Sequence, residues 1–310
     1  MIPLTTADAP DPRLLGGAIA IGNFDGVHRG HAQLIDRLRR MAQRLGGPAV
    51  AVTFDPPPVA ILRPQSKPLA LTTIPRREAL LRRCGADGVV VIRTDRSLLG
   101  QSPETFFKHL VRGTLQARGM VEGPNFFFGR DRAGNPHLLR RLCQREGIEC
   151  EIVEPAEIEG RMISSTRVRQ LLNEGDVAQA AAVLVAPYRL QGMVRSGAGR
   201  GRQLGFPTAN LERIPTVIPA HGVYACRVLA AGRSYAAAVH IGPTPTFSDL
   251  QSKVEVHLLD FGGDLYGCQL EVDFVARVRR VRDFGSAGAL QLQLAADLKS
   301  VRAALAMVQE

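Results

Sequence analysis

The sequence predicts an α/β domain built on a parallel sheet, followed by a small antiparallel β-barrel with a closing helix. Three observations predict it. From residue 18 to about 155, short β-branched runs alternate with segments of helical period, the pattern of βαβ units. After residue 186 the apolar residues alternate at period two between Gly- and Pro-rich turns, as half-buried strands do. The last stretch, 287–308, returns to helical spacing. The boundary falls near Ala186-Pro187, giving domains 1–186 and 187–310, each long enough to bury its own core.

Taken in order, AIAIGNF (18–24), AVAVTF (49–54), GVVVIRT (88–94), GMVEG (119–123) and CEIVEP (150–155) read as buried strands. Between the first two, Leu34, Ile35, Leu38, Met41, Ala42 and Leu45 form the stripe of an amphipathic helix. Segments 75–84, 103–117 and 137–146 have the same period. In the second domain, YRLQGMV, GVYACRVL, SYAAAVHIG, KVEVHLLDF and LEVDFVARV supply five of the five or six strands expected of a small barrel. Leu290, Leu294, Leu298, Val301 and Leu305 line the closing helix.

Composition narrows the class. With 45% hydrophobic and 22% charged residues the chain has the balance of a soluble globular protein, and no apolar run approaches the ~20 residues of a membrane span. The first residues lack the basic start and apolar stretch of a signal peptide, so a cytoplasmic location is expected. Five scattered cysteines without a C-x-x-C pair suit reduced core thiols. A net charge of +10 favours anionic partners such as nucleotides. The charge is spread over both halves, only four of the 39 cations are Lys, and no aromatic residues interleave with Arg clusters. Nucleic acid is therefore not the expected partner. The oligomeric state is not legible.

Two stretches carry chemistry. In GNFDGVHRGH (22–31) a strand delivers the chain to the carboxyl edge of its sheet, and a helix begins at about Gly30. Unpaired N–H groups and the positive dipole end make that junction an anion site. Gly26 and Gly30 let backbone approach a ligand, and His28 and His31, three apart, can both face it. No Gly-Lys pair exists for a Walker A loop, and two histidines alone do not make a metal site.

The second stretch is GAGRGRQLGFPTANL (197–211). No helix follows it, so it is not a dinucleotide fingerprint. Pro207 fixes the local backbone, while Thr208 and Asn210, two apart in an extended chain, point the same way. Their oxygens are hard donors of the kind Mg²⁺ takes alongside phosphates, with Mn²⁺ as a substitute. Gly197, Gly201 and Gly205 can present backbone N–H groups to a phosphate chain. In VEVHLLDF (254–261), Glu255 and His257 share the face opposite Val254, Val256 and Leu258, and Glu255 is the candidate general base.

GNFDGVHRGH resembles the G-x-F-D-G-x-H-x-G-H signature of the nucleotidyltransferases with a H-x-G-H motif, which implies a Rossmann-like fold. It also implies phosphate contacts for Gly22, Phe24, Asp25 and Gly26 and catalytic roles for His28 and His31. GPNFFFGRDRAGN (123–135) resembles that family's G-x-[DN]-F-x-F-G segment, with Asn125 facing the flavin. ISSTRVRQLL (163–172) resembles its I-S-S-T-x-[IV]-R motif, with Ser164, Ser165, Thr166 and Arg169 at ATP. Capping alone would also explain the hydroxyl residues there.

GFPTAN and the later Glu resemble the riboflavin kinase domain, in which G-x-P-T-A-N holds Mg-ATP. GVYAC (222–226) and IGPTPTF (241–247) fit the same family. The domain order is similar to that of the prokaryotic bifunctional riboflavin kinase/FAD synthetases. The resemblance implies ATP, riboflavin, FMN and FAD as substrates or products: riboflavin is phosphorylated to FMN, and FMN is adenylylated to FAD with release of pyrophosphate.

Some positions depart from the pattern. Pro57 stands where F-x-P-H-P has histidine, and Thr94 where Phe is usual. His240 replaces a common Asn, Ala198 a frequent Asp, and Val281 an acidic residue. Two alternatives follow: a riboflavin kinase whose first domain adenylylates weakly or not at all, and a regulator that binds flavin or nucleotide.

Overall fold

In the computed structural model of the chain the described residues are 5–6, 10–158, 160–195, 205–230, 232–244 and 249–307, with the side chains of 5–6, 244 and 249–251 left out. The chain divides into two compact units, residues 1–68 with 72–165, and 69–71 with 166–310.

The first unit holds six parallel strands in the order β1-β4-β3-β2-β5-β6: β1 (Thr5–Thr6), β2 (Ala18–Ile21), β3 (Ala49–Asp55), β4 (Gly88–Arg93), β5 (Gly119–Glu122) and β6 (Glu149–Ile152). Leaving β1 aside, this is the 3-2-1-4-5 order of doubly wound sheets, with the switch point between β2 and β5. Strands β2 and β5 are buried throughout and β3 and β4 nearly so, because helices cover both faces. Helix α1 (Arg29–Leu45) buries Ile35, Leu38, Met41 and Ala42 and ends on Gly46 in the left-handed conformation. Helices α2 (Ile74–Arg83), α3 (Pro103–Phe106, continuing as a π-helical stretch Phe107–Thr114) and α4 (Pro136–Glu146) complete the layers.

The predicted strands and helices of this half are present. Edge strand β1, the small hairpin of β7 (Glu157–Ile158) and β8 (Arg161–Met162), and the π turns escaped the sequence because two-residue strands and helix pitch leave no periodicity.

The second unit is a closed six-stranded barrel, β10-β13-β12-β11-β14-β9, antiparallel throughout. Its strands are β9 (Arg189–Arg195), β10 (Ala209–Glu212), β11 (Gly222–Ala230), β12 (Arg233–Thr244), β13 (Asp249–Leu258) and β14 (Gln269–Arg279). Leu190, Tyr224, Val239, Val256 and Phe274 are among the residues that fill the interior. Helices α5 (Ser165–Glu174) and α6 (Val177–Val183) precede the barrel, and all of α5 but its first residue belongs to this unit. Helix α7 (Ala287–Ala306) covers part of the outer wall, setting Leu298, Val301 and Leu305 against Ala225, Ala236 and Ala238. Its buried Asp297 receives Arg279 through three hydrogen bonds of 2.7–3.0 Å, so this carboxylate is paired beneath the helix.

Candidate active sites

At the carboxyl end of β2 the chain turns sharply. Gly22 N–H bonds Val52 O at 2.9 Å, and then Phe24 (φ 47°), Gly26 (φ 85°) and Val27 (φ 46°) take left-handed conformations. For the two side-chain-bearing residues this costs about 1–3 kcal/mol each. Buried packing of Phe24 and Val27 offsets that cost, as does a polar network under the loop. Asp25 Oδ1 accepts from Thr72 N–H (3.1 Å), Thr72 Oγ1 (3.2 Å) and Arg77 Nη2 (3.3 Å). Arg77, 5% exposed, also donates to Thr53 Oγ1 at 3.1 Å, and Gly26 N–H reaches Thr72 Oγ1 at 3.2 Å. Ser165 Oγ donates to Asp25 O at 2.8 Å. The carboxylate of Asp25 is thus aimed into the protein, where it holds the loop's shape.

That shape places the two histidines. His28 caps α1, its Nδ1 accepting from His31 N–H, while His31 Nδ1 accepts from His28 N–H, each at 3.3 Å. The rings stack with centroids 3.6 Å apart and planes 17° off parallel, and Phe24 meets His31 edge-on. Burial pushes His28 down to about 4 and His31 well below the usual histidine range, so both rings are neutral at pH 7. With both Nδ1 atoms accepting, each neutral ring carries its proton on Nε2. The pair therefore presents two N–H donors beside the N-terminus of a 17-residue helix.

Beside the loop, β2 and β5 stay in register only at Ala18↔Gly119 and Ile19↔Met120, then separate. Glu122 fills the gap, accepting from Ile21 N–H at 2.7 Å. Burial drives its carboxyl well above the usual range. Sequence reasoning treated this residue as part of a strand.

The other expected residues of this half are more dispersed. Asn125 is exposed in the turn after β5. Ser164 and Ser165 are half-buried in the first unit, whereas exposed Thr166 and half-buried Arg169 belong to the second, where Arg169 Nε donates to Leu69 O at 3.0 Å. Pro57 opens a short helix after β3. Thr94 lies 3% exposed just past β4, its hydroxyl without a hydrogen-bond partner among the described residues.

In the barrel, strand register assembles the second site. Asn210 on β10 pairs with Glu255 on β13, which pairs with His240 on β12. These three half-buried residues face the outer wall, because Leu211, Val239, Val254 and Val256 take the alternate, inward positions. His240 Nδ1 lies 3.5 Å from Glu255 Oε2. His257 packs edge-on against Phe206 and its Nδ1 lies 2.7 Å from Pro207 O, which ties the Gly-Phe-Pro turn to β13. Thr208, half-buried, is one residue short of β10 and shares the face of Asn210. Gly205 is exposed at φ 86°, while Gly197, Gly201 and Ala198 lie outside the described residues, as does much of IGPTPTF. Among the described residues no group of three or more His, Cys, Asp or Glu side chains forms a metal cage. All five cysteines are unpaired.

The FAD synthetase family model matches residues 12–167, and the riboflavin kinase family model matches 184–305. The bifunctional riboflavin kinase/FMN adenylyltransferase of Pseudomonas fluorescens is 36% identical over 293 residues, 94% of each chain. The protein of that name from Escherichia coli K12 is 34% identical over 288 residues, 93% of this chain and 92% of its own. The chain belongs to the bifunctional riboflavin kinase/FMN adenylyltransferase family. A crystal structure named as a macrolide-efflux protein of Streptococcus pneumoniae has the same fold, with a TM-score of 0.86 at 32% identity, covering 97% of this chain and 98% of its own. Among the described residues no helix is long and apolar enough to cross a membrane.

Proposed function

We propose that the two units divide the family's two reactions, the barrel phosphorylating riboflavin to FMN and the parallel-sheet unit adenylylating FMN to FAD. In the barrel, Glu255 takes the proton of riboflavin's terminal hydroxyl as its oxygen attacks the γ-phosphorus of ATP and ADP departs. A positioned base of this kind contributes ~10²–10⁴ in rate. In the first unit a phosphate oxygen of FMN attacks the α-phosphorus of ATP and pyrophosphate leaves. The Nε2–H groups of His28 and His31 donate to the phosphate oxygens on which charge accumulates, with Gly22, Phe24 and Gly26 shaping the cradle and Asp25 holding it. Asn125 faces the flavin.

The observation that carries this reading is the convergence of Asn210, Glu255 and the Thr208 turn on one outer face of the barrel. Thr208 and Asn210 fit a divalent ion held by one or two protein oxygens together with substrate phosphates, the way Mg²⁺ is usually bound. When bound, Mg²⁺ supplies neutralisation of phosphate charge. A cytoplasmic enzyme would meet ATP and keep its thiols reduced.

The test is purified protein with ATP and Mg²⁺, one sample started from riboflavin and one from FMN, the flavins separated by chromatography over time. FAD from both supports the reading and makes Pro57 a tolerated change. FMN accumulating in the first sample and persisting unchanged in the second would leave only the kinase.

A further inference from the structure

The general base has a neighbour that neither reaction step has used. His240 sits directly across the β12–β13 ladder from Glu255, the antiparallel position at which Cβ atoms stand about 5 Å apart. Its Nδ1 is 3.5 Å from Oε2, and the two side chains are only 22% and 24% exposed. On the opposite flank Glu255 meets Asn210, a neutral amide. The positions bracketing His240 on the same face of its own strand are Ala238 and Gly242, too small to hold the ring, and its partner on β11 is Val223. The ring is therefore steered toward the carboxylate.

We propose that His240 is a positioning residue for the kinase reaction: its Nδ1–H holds one oxygen of Glu255 so that the other takes the proton of the attacking hydroxyl. This rests on Glu255 being the base. A carboxylate on a barrel wall otherwise rotates freely about its terminal bond, and a base works only when held within hydrogen-bond reach of its proton. A merely structural cross-strand pair would contribute to folding and nothing to turnover.

Steady-state phosphorylation of riboflavin by the full chain with Mg-ATP separates the two roles. His240→Ala lowers kcat about tenfold, at the lower end of what partners that orient a functional group are worth, while KM for riboflavin and for ATP stays within about twofold. His240→Asn, which restores an N–H donor of shorter reach, recovers most of kcat, and His240→Leu, which fills the space without a donor, does not. The thermal melt confirms that each variant is folded, and conversion of supplied FMN to FAD, the other unit's reaction, stays unchanged. An unchanged kcat in His240→Ala, or equal recovery by Asn and Leu, overturns the inference. Glu255→Gln is run in parallel. If it still makes FMN, the assignment of the base is wrong and the inference falls with it; if it is inactive while His240→Ala keeps the wild-type kcat, only the inference fails.

Discussion

The two candidate sites hold their side chains still by opposite means. In the first unit a short loop in unfavourable backbone conformations is clamped from below by a buried ion pair, and the two histidines inherit their places from it. In the barrel no strained loop is involved among the described residues. Strand pairing alone sets Asn210, Glu255 and His240 side by side, because residues opposite each other on a ladder must share a face. Rigidity bought by burial is costly to disturb anywhere in its network, whereas rigidity from register tolerates change at all but the reacting groups.

The largest expected effect falls on the barrel. Glu255→Gln keeps shape and hydrogen bonding but removes the base, so riboflavin phosphorylation should fall by ~10²–10⁴ while supplied FMN is still converted to FAD. Loss of both activities in a folded protein would break the division between the two units.

Next comes the clamp. Arg77→Met leaves Asp25 buried without its cation, a change that costs about 3–5 kcal/mol when such a pair is broken. Urea unfolding should register it in the first unit, and adenylylation should fail with the loop, although Arg77 is not assigned to touch substrate. Kinase activity should survive. If adenylylation persisted, the loop would owe its shape to Phe24 and Val27 packing and the contrast drawn above would weaken.

How much of this was legible follows the same contrast. The barrel site could be read because period two is rigid: Val254, Val256 and Leu258 inside force Glu255 and His257 outside, and Thr208 with Asn210 follows the same rule. The histidine pair could be placed at the head of a helix. Its reciprocal capping, and with it the tautomer, could not, because that depends on χ angles. Nor could the loop, since a β-branched Val27 at positive φ contradicts local propensity, as tends to happen where function takes precedence. Arg77 hid in IPRREALLRR among arginines that are half-buried or exposed, and Glu122 in a strand, because burial of a charged residue leaves no spacing signal. The exchange of His257 with Pro207 joins positions fifty residues apart, which only the barrel's closure brings together.

Removing the histidine pair should cost somewhat less than removing the Glu255 carboxylate. His28→Ala with His31→Ala should reduce FAD formation by ~10²–10³, the usual loss for aimed donors at developing charge, with FMN formation intact. Equal loss of both activities would again argue against separate sites.

The smallest effect is the most specific to how the first site is built. His28 is held neutral by burial, at about 4, whereas the unfolded chain takes up its proton near 6.5. Between those values the unfolded state binds more protons than the folded one, so stability rises with pH. Conversely, it is intact above about 6.5 and lost on acidification down to about 4, amounting to about 2 kcal/mol between pH 7 and pH 5 for this residue. Buried Glu122 works the other way, since its raised value makes the fold less stable as the unfolded carboxyl ionises above 4.5. The two must therefore be separated by substitution. His28→Asn keeps a good helix-capping acceptor but removes the titration, so its unfolding free energy from urea titration should match wild type within about 1 kcal/mol at pH 7 and fall less between pH 7 and pH 5. An identical acid slope in both proteins would mean that the histidine at the head of α1 is open to water, and that the loop is less closed than its hydrogen bonds imply.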